Sequence, residues 1–221
     1  MNKSGQRKKT IIPRNARAHK AQRRDQILEA AFQVFAVKGY AEARLDDVAR
    51  QAGIAKGTIY LYFKDKEQLF RAVARSLIQK RFDSVVGDFR GTASELLREL
   101  VARMYSQVVR NDKARSIIRM LISEGTKFPQ LAEIYHREII APGIKAVRTV
   151  LKRGIDSGEF RRTQATEFPQ ILAAPGVLAM IWRLLLGERH HLDLDAYMKA
   201  HVELVLSSLQ SRDVPARDGG A

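Results

Sequence analysis

Apolar side chains recur at helical spacing almost from end to end of the chain. Ile27, Leu28, Ala31, Phe32 and Phe35 fall at i, i+1, i+4, i+5 and i+8, one face of a 3.6-residue helix. Lys38-Gly39 predicts its end, because glycine suits the left-handed position that follows a last turn. Leu45, Val48 and Ala49 predict a short second helix, with Asp46 and Asp47 in the first turn where carboxylates favour the helix dipole. Gln51-Ala52-Gly53-Ile54 then reads as a tight turn whose Gly53 takes a positive φ. A third helix is expected over 56–63. Asp65-Lys66-Glu67-Gln68 reads as a capping box opening a fourth, continued by Leu69, Phe70, Val73 and Leu77.

Beyond Gly91 the helical period returns in five segments, 93–109, 114–124, 130–154, 165–186 and 194–211. Gly91, Asn111-Asp112, Gly125 with Pro129, Ser157-Gly158 and the stretch 187–192 separate them. Pro142 and Pro175 each remove a backbone donor inside a predicted helix and should kink it. No segment alternates with period two, so the expected fold is all-α. It comprises an N-terminal three-helix helix-turn-helix domain (22–68) and a larger helical ligand-binding and dimerisation domain (69–211). Residues 1–21 are expected to form a basic disordered arm and 212–221 a disordered tail.

Charge sharpens this division. The 221 residues carry a formal net charge of +15, and 45% of them are hydrophobic, ample for a packed core. Residues 1–80 hold 18 Lys and Arg against 7 Asp and Glu, whereas residues 81–221 hold 21 against 17. A positive excess concentrated in the first third is the pattern of a module that faces a polyanion. Lys3, Arg7, Lys8, Lys9, Arg14, Arg17 and Lys20 lie in the arm with no acid among them, suited to phosphate once a duplex is near. The absence of cysteine excludes disulfides, thiolate metal sites and cysteine nucleophiles. The apolar stretches 171–181 and 182–186 are broken by Pro175, Gly176 and Arg183 and fall short of the ~20 residues that span a bilayer. A soluble cytoplasmic protein without a membrane partner is expected.

The third helix, KGTIYLYF, carries the specific chemistry. Two short helices joined by a glycine-bearing turn place the second in the major groove while the first crosses the backbone. Ile59 and Phe63, four apart, point to a core shared with Phe32, Phe35, Val48 and Ile54. Lys56, Gly57, Thr58, Tyr60, Leu61 and Tyr62 are left for the exposed faces and leading end. Aromatics at helical spacing usually pack inward, but so short a helix cannot bury four large side chains. Lys56 suits a guanine edge or a phosphate, Gly57 a close backbone approach and Thr58 a phosphate or thymine methyl. Tyr60, Tyr62 and Lys66 suit phosphates.

Residues 27–70, ILEAAFQVFAVKGYAEARLDDVARQAGIAKGTIYLYFKDKEQLF, resemble the DNA-binding domain of the TetR family of regulators. Four elements in fixed order carry the likeness: A-x-x-x-F-x-x-x-G-Y, D-x-A-x-x-A-G, K-G-T-x-Y-x-Y-F and K-x-x-L-F. The resemblance implies a recognition helix at KGTIYLYF with Lys56, Gly57 and Thr58 near base edges and Tyr60, Tyr62 and Lys66 on phosphates. It also implies a homodimer on a pseudo-palindromic operator, acting as a repressor released by a small molecule. Two positions depart from the pattern. Ala43 and Arg44 stand where a Ser or Thr commonly caps the second helix, and Ala55 stands where a Ser commonly precedes Lys-Gly. Each lost cap costs ~1 kcal/mol, and Arg44 offsets its own by pairing with phosphate.

In the larger domain, Ile171, Leu178, Ile181 and Leu185 stripe one helix and Val202, Val205, Leu206 and Leu209 another, a candidate dimer seam built as a four-helix bundle. Each stripe would serve equally well as an internal core face. Candidate pocket liners are Met104, Ile118, Ile122, Tyr135 and Trp182, with Arg119 or His136 as polar anchors. An enzyme finds little support. His190-His191 with Asp193 and Asp195 fit a charged interhelical loop better than a metal site, and no P-loop, dinucleotide fingerprint or nucleophile elbow is present. No cofactor is expected. A sequence-nonspecific nucleoid protein is the remaining alternative; the large apolar second domain argues against it.

Overall fold

The computed structural model describes residues 14–77, 82–187 and 189–210, and among them forms helices and no strand. The chain divides into two compact units, Met1–Val73 and Ala74–Ala221. The expectations for residues 1–13 of the arm and for the C-terminal tail lie outside the described residues.

The first unit holds α1 (Arg14–Glu42), α2 (Leu45–Gln51), α3 (Lys56–Tyr60) and most of α4 (Lys66–Ser76). Helix α1 begins inside the stretch expected to be disordered. Ala16, Ala18 and Ala21 with Lys, Arg and Gln neighbours favour helix, and adding a residue to an existing helix costs far less than nucleating one. At the other end it bends rather than stops, since Gly39 takes φ 72°, ψ 179° and the chain continues to Glu42. The core centres on three rings. Phe35 stacks on Tyr40 at 5.9 Å, and Phe70 meets both edge-on at 5.7 Å. Ile27, Leu28, Ala31, Val48, Ile59, Phe63, Leu69 and Val73 close it. Gly53 has the expected positive φ, 62°. Asp65 accepts from the Gln68 amide at 2.7 Å, capping α4 as the sequence indicated.

The second unit continues α4 and adds α5 (Phe82–Asp88), α6 (Ala93–Met104), α7 (Asp112–Glu124), α8 (Pro129–Tyr135), α9 (Ala141–Asp156), α10 (Gln164–Glu167), α11 (Pro169–Leu186) and α12 (Leu194–Leu209). Two turns widen to π geometry, Tyr105–Val109 after α6 and His136–Ile140 between α8 and α9. Pro142 explains the second. It cannot donate to the carbonyl four residues back, and its ring pushes that carbonyl aside, so a looser turn precedes it. By contrast, α11 runs on through Pro175 to a length and composition that could span a bilayer. Breaking it at that proline understated it. One core joins Leu96, Leu97 and Leu100 to Val150, Leu151, Phe160, Leu172, Val205, Leu206 and Leu209; a second joins Val101, Tyr105, Val109, Ile118, Ala179 and Met180.

Candidate nucleic-acid interface and small-molecule cavity

Helix α3 is held by Ile59 alone in its helical part, with Phe63 buried just beyond it. The helix ends at Tyr60, three residues short of the sequence expectation, and Leu61 and Tyr62 form the turn that follows. Ala55 at its N-cap and Arg44 at that of α2 make no side-chain cap, leaving amide donors at both leading ends. Lys56 and Gly57 are exposed, Tyr60 is 48% and Leu61 81% exposed, and Thr58 and Tyr62 are half-buried. Arg44 is exposed beside the same surface-facing end of α2.

Two of the expected phosphate or base contacts are already engaged. Lys56 Nζ pairs with Asp46 Oδ2 at 2.7 Å, and that carboxylate raises the lysine pKa above its ordinary value. Lys66 Nζ donates to the Tyr40 carbonyl at 2.5 Å and the Ala41 carbonyl at 3.1 Å, and lies 4.4 Å from the centre of the Tyr40 ring. It holds the end of α1 rather than standing clear as a phosphate clamp. The reason is local: the Tyr40 and Ala41 carbonyls lie beside the Tyr40 ring, so an ammonium there meets oxygen acceptors and an aromatic face together. Asp46 was read only as a dipole partner, although its place in the first turn opposite the glycine turn is what brings it to Lys56. Asp47, on the same turn, is held below the usual carboxylate range chiefly by the hydrogen bond from Lys38, 2.9 Å away.

In the second unit a cavity of about 300 Å³ opens between four helices. Met104, Val108 and Val109 line it from α6 and its π turn; Ile118, Leu121 and Ile122 from α7. Tyr135 and Ile140 bracket the second π turn, and Gly176, Val177 and Met180 come from α11. Four sequence candidates, Met104, Ile118, Ile122 and Tyr135, therefore meet in one place. Three do not. Arg119 and His136 point to the surface, and Trp182 turns outward, its indole N–H donating to the His190 carbonyl at 2.9 Å. Of the residues missed, Val108, Val109 and Ile140 lie in the π turns, where a widened turn shifts the register that periodicity presumes; Leu121 is on α7, and Gly176, Val177 and Met180 are on α11. Burial pushes the Tyr135 hydroxyl up to about 12.

The stripe on α11 is exposed as a seam requires: Ile171, Leu178, Ile181 and Leu185 face outward. The stripe on α12 is not. Val205, Leu206 and Leu209 are buried in the unit's own core, with Val202 packed against it. The outward apolar positions of α12 are instead Ala200 and Leu204, which with half-buried Tyr197, with His201 and with Ile171, Ala174, Pro175 and Leu178 line a largely apolar groove. At the other end of α12, Asp193 caps the helix through the Asp195 and Ala196 amides, and Asp195 pairs with Arg110 at 2.6 Å. The acids of the supposed metal cluster thus have structural tasks.

Residues 27–73 match the family model of bacterial regulatory proteins, tetR family, and residues 85–205 match the tetracyclin repressor-like C-terminal domain. The chain belongs to the TetR family. As a TetR-family member it is a DNA-binding transcriptional regulator, and its relatives are regulators too. The fatty acid metabolism regulator protein of Bacillus subtilis (strain 168) is 25% identical over 189 residues, 85% of this chain and 95% of the relative. Among solved structures, the transcriptional regulator FadR from Bacillus subtilis in complex with stearoyl-CoA superposes with a TM-score of 0.63 at 24% identity, over 83% of this chain and 98% of that one. A Saccharomonospora viridis protein in complex with choline superposes with a TM-score of 0.67 at 22% identity, over 87% and 100%. These likenesses in three dimensions establish the all-α TetR-like fold.

Proposed function

We propose that the protein is a homodimeric repressor that reads a pseudo-palindromic operator with α3 and leaves it when an apolar small molecule enters the cavity. The observation that carries the reading is the division of labour in 56–63. Ile59 and Phe63 anchor the segment in the core while Lys56, Gly57, Tyr60 and Leu61 stay outside. Lys56 exchanges Asp46 for a phosphate or a guanine edge; Tyr60, Tyr62 and Arg44 position the backbone. Two copies joined along α11 and α12 present two such segments, so the half-sites lie about one turn apart, ~34–36 Å. Binding takes place in the cytoplasm, where the DNA is.

The cavity lining favours one kind of effector. Stearoyl-CoA, carried by the Bacillus subtilis structure, has a long hydrocarbon chain, and an apolar cavity of about 300 Å³ suits part of such a chain. Choline, carried by another structural neighbour, is a cation that calls for carboxylates or several aromatic faces. The described lining offers one ring and no acid. Selection of bound duplexes from a random pool tests the DNA half of this reading, and the expected product is one inverted repeat. Enrichment of no sequence would overturn it. Addition of acyl-CoA to the selected complex tests the other half, with release expected.

A further inference from the structure

Tyr135 stands apart in the cavity. Every other described residue that lines it is aliphatic, a methionine or a glycine. Its hydroxyl has no hydrogen-bond partner among the described residues, whereas that of nearby Tyr105 meets His201 Nδ1 at 3.2 Å. A polar group facing an apolar cavity without a partner is costly when water is displaced, unless the incoming molecule supplies one. Met104, Ile118 and Met180 cannot do so. The same surroundings bear on charge. No described lining residue is basic, so an anion there would exchange its hydration for no more than the one hydrogen bond that the Tyr135 hydroxyl can donate.

Resting on the reading of this cavity as the effector site, we infer that the part of the effector lodged in it is uncharged and carries one hydrogen-bond acceptor, which the Tyr135 hydroxyl engages. An acyl ester or thioester carbonyl meets that description; the carboxylate of a free fatty acid does not. Tyr135 is thus the residue that sets specificity within an otherwise hydrocarbon-like chamber. The ordinary pKa of its hydroxyl already leaves it protonated at physiological pH, and burial pushes that value further up, to about 12, so it stands there as a neutral donor.

The test uses the full-length purified protein, with pyrene as a hydrocarbon reporter and methyl laurate and sodium laurate as competitors at pH 8, below their aggregation limits. Pyrene is expected to bind wild type and Tyr135→Phe alike, since it makes no hydrogen bond. Methyl laurate should displace it from wild type at least about tenfold more effectively than laurate does. In Tyr135→Phe the ester should weaken about five- to tenfold while pyrene affinity holds. Equal competition by ester and carboxylate in the wild-type protein would overturn the inference without recourse to the variant. So would an ester that binds Tyr135→Phe as tightly as wild type. Failure of pyrene to bind wild type at all would overturn the cavity reading itself, and the inference with it.

Discussion

At the scale of single residues, the molecule shows how a side chain's partner outweighs its type. Lys56 and Lys66 lie ten positions apart in the same basic third of the chain, and sequence reading gave both to DNA. Only Lys56 is exposed and held by one carboxylate that another anion could replace; Lys66 is tied to two backbone carbonyls. Replacing Asp46 by Asn should release Lys56 and strengthen binding to random duplex, measured by anisotropy at low salt. Lys56→Ala should weaken binding to the selected operator more than to random DNA. Equal losses on both would place Lys56 on the phosphate backbone alone. His201 makes a second case. It is buried between Tyr105 and the Leu172 carbonyl, 2.7 Å from Nε2. Burial lowers its pKa, partly opposed by that carbonyl. The unfolded chain therefore takes up a proton near pH 6.5 that the folded chain resists, and stability falls as pH drops below that value. Thermal midpoints at pH 7.5 and 5.5 should separate clearly in the wild type and less in His201→Gln. Equal separations would show that the imidazole plays no part.

At the scale of elements, caps and turns decide what the hydrophobic period cannot. The amphipathic core of the first unit was legible because one face of α1 gathers most of its large apolar side chains, Val37 being an exposed exception. The stripe on α12 was not, because a period of 3.6 marks a buried face without saying whether the chain's own core or a second chain buries it. The cavity was half legible for another reason: two π turns widen the helical register, and Val108 and Ile140 lie within those turns. Helix α6 illustrates a cap that comes from far along the chain. Glu159 accepts from the Ala93 and Ser94 amides at 2.7 and 2.8 Å, adding a carboxylate to the capping box of Thr92 and Glu95. Desolvation opposes its ionisation, but the hydrogen bonds from Ser94 and Ala93, helped by Arg153, hold its pKa below the ordinary value. A depressed carboxyl stabilises above its unfolded pKa, about 4.5, and that contribution is lost as pH falls through the lower folded value. Glu159→Gln should therefore cost roughly 1–2 kcal/mol at pH 7 in urea unfolding. The difference should shrink as the medium is acidified below pH 4.5; a constant difference down to pH 3 would argue against this role.

At the scale of the whole molecule, the most informative surface is the one a single chain leaves unfinished. Leu178 is 54% and Leu204 62% exposed, Ile171 and Leu185 also face outward, and the groove between α11 and α12 is apolar apart from His201. A soluble monomer seldom displays so continuous a patch, and the occupant proposed for it is a second copy whose α11 and α12 would complete a four-helix bundle. Because these side chains contribute little to the protomer's own core, charging them should break the pair and spare the fold. Leu178→Asp combined with Leu204→Asp is expected to keep the helical circular dichroism of the wild type while light scattering at micromolar concentration falls to one chain's mass, 25.0 kDa. Operator affinity should drop by at least about a hundredfold, since each half-site then binds without the effective concentration its neighbour supplies. Pyrene binding should survive, the cavity's lining being separate from the groove except at the shared helix α11. A wild-type protein that scatters as a monomer, or a doubly charged variant that remains dimeric and tight on its operator, would move the seam elsewhere. The groove would then need a different occupant to explain why Leu204 turns outward while the leucines that follow it on α12, Leu206 and Leu209, are buried.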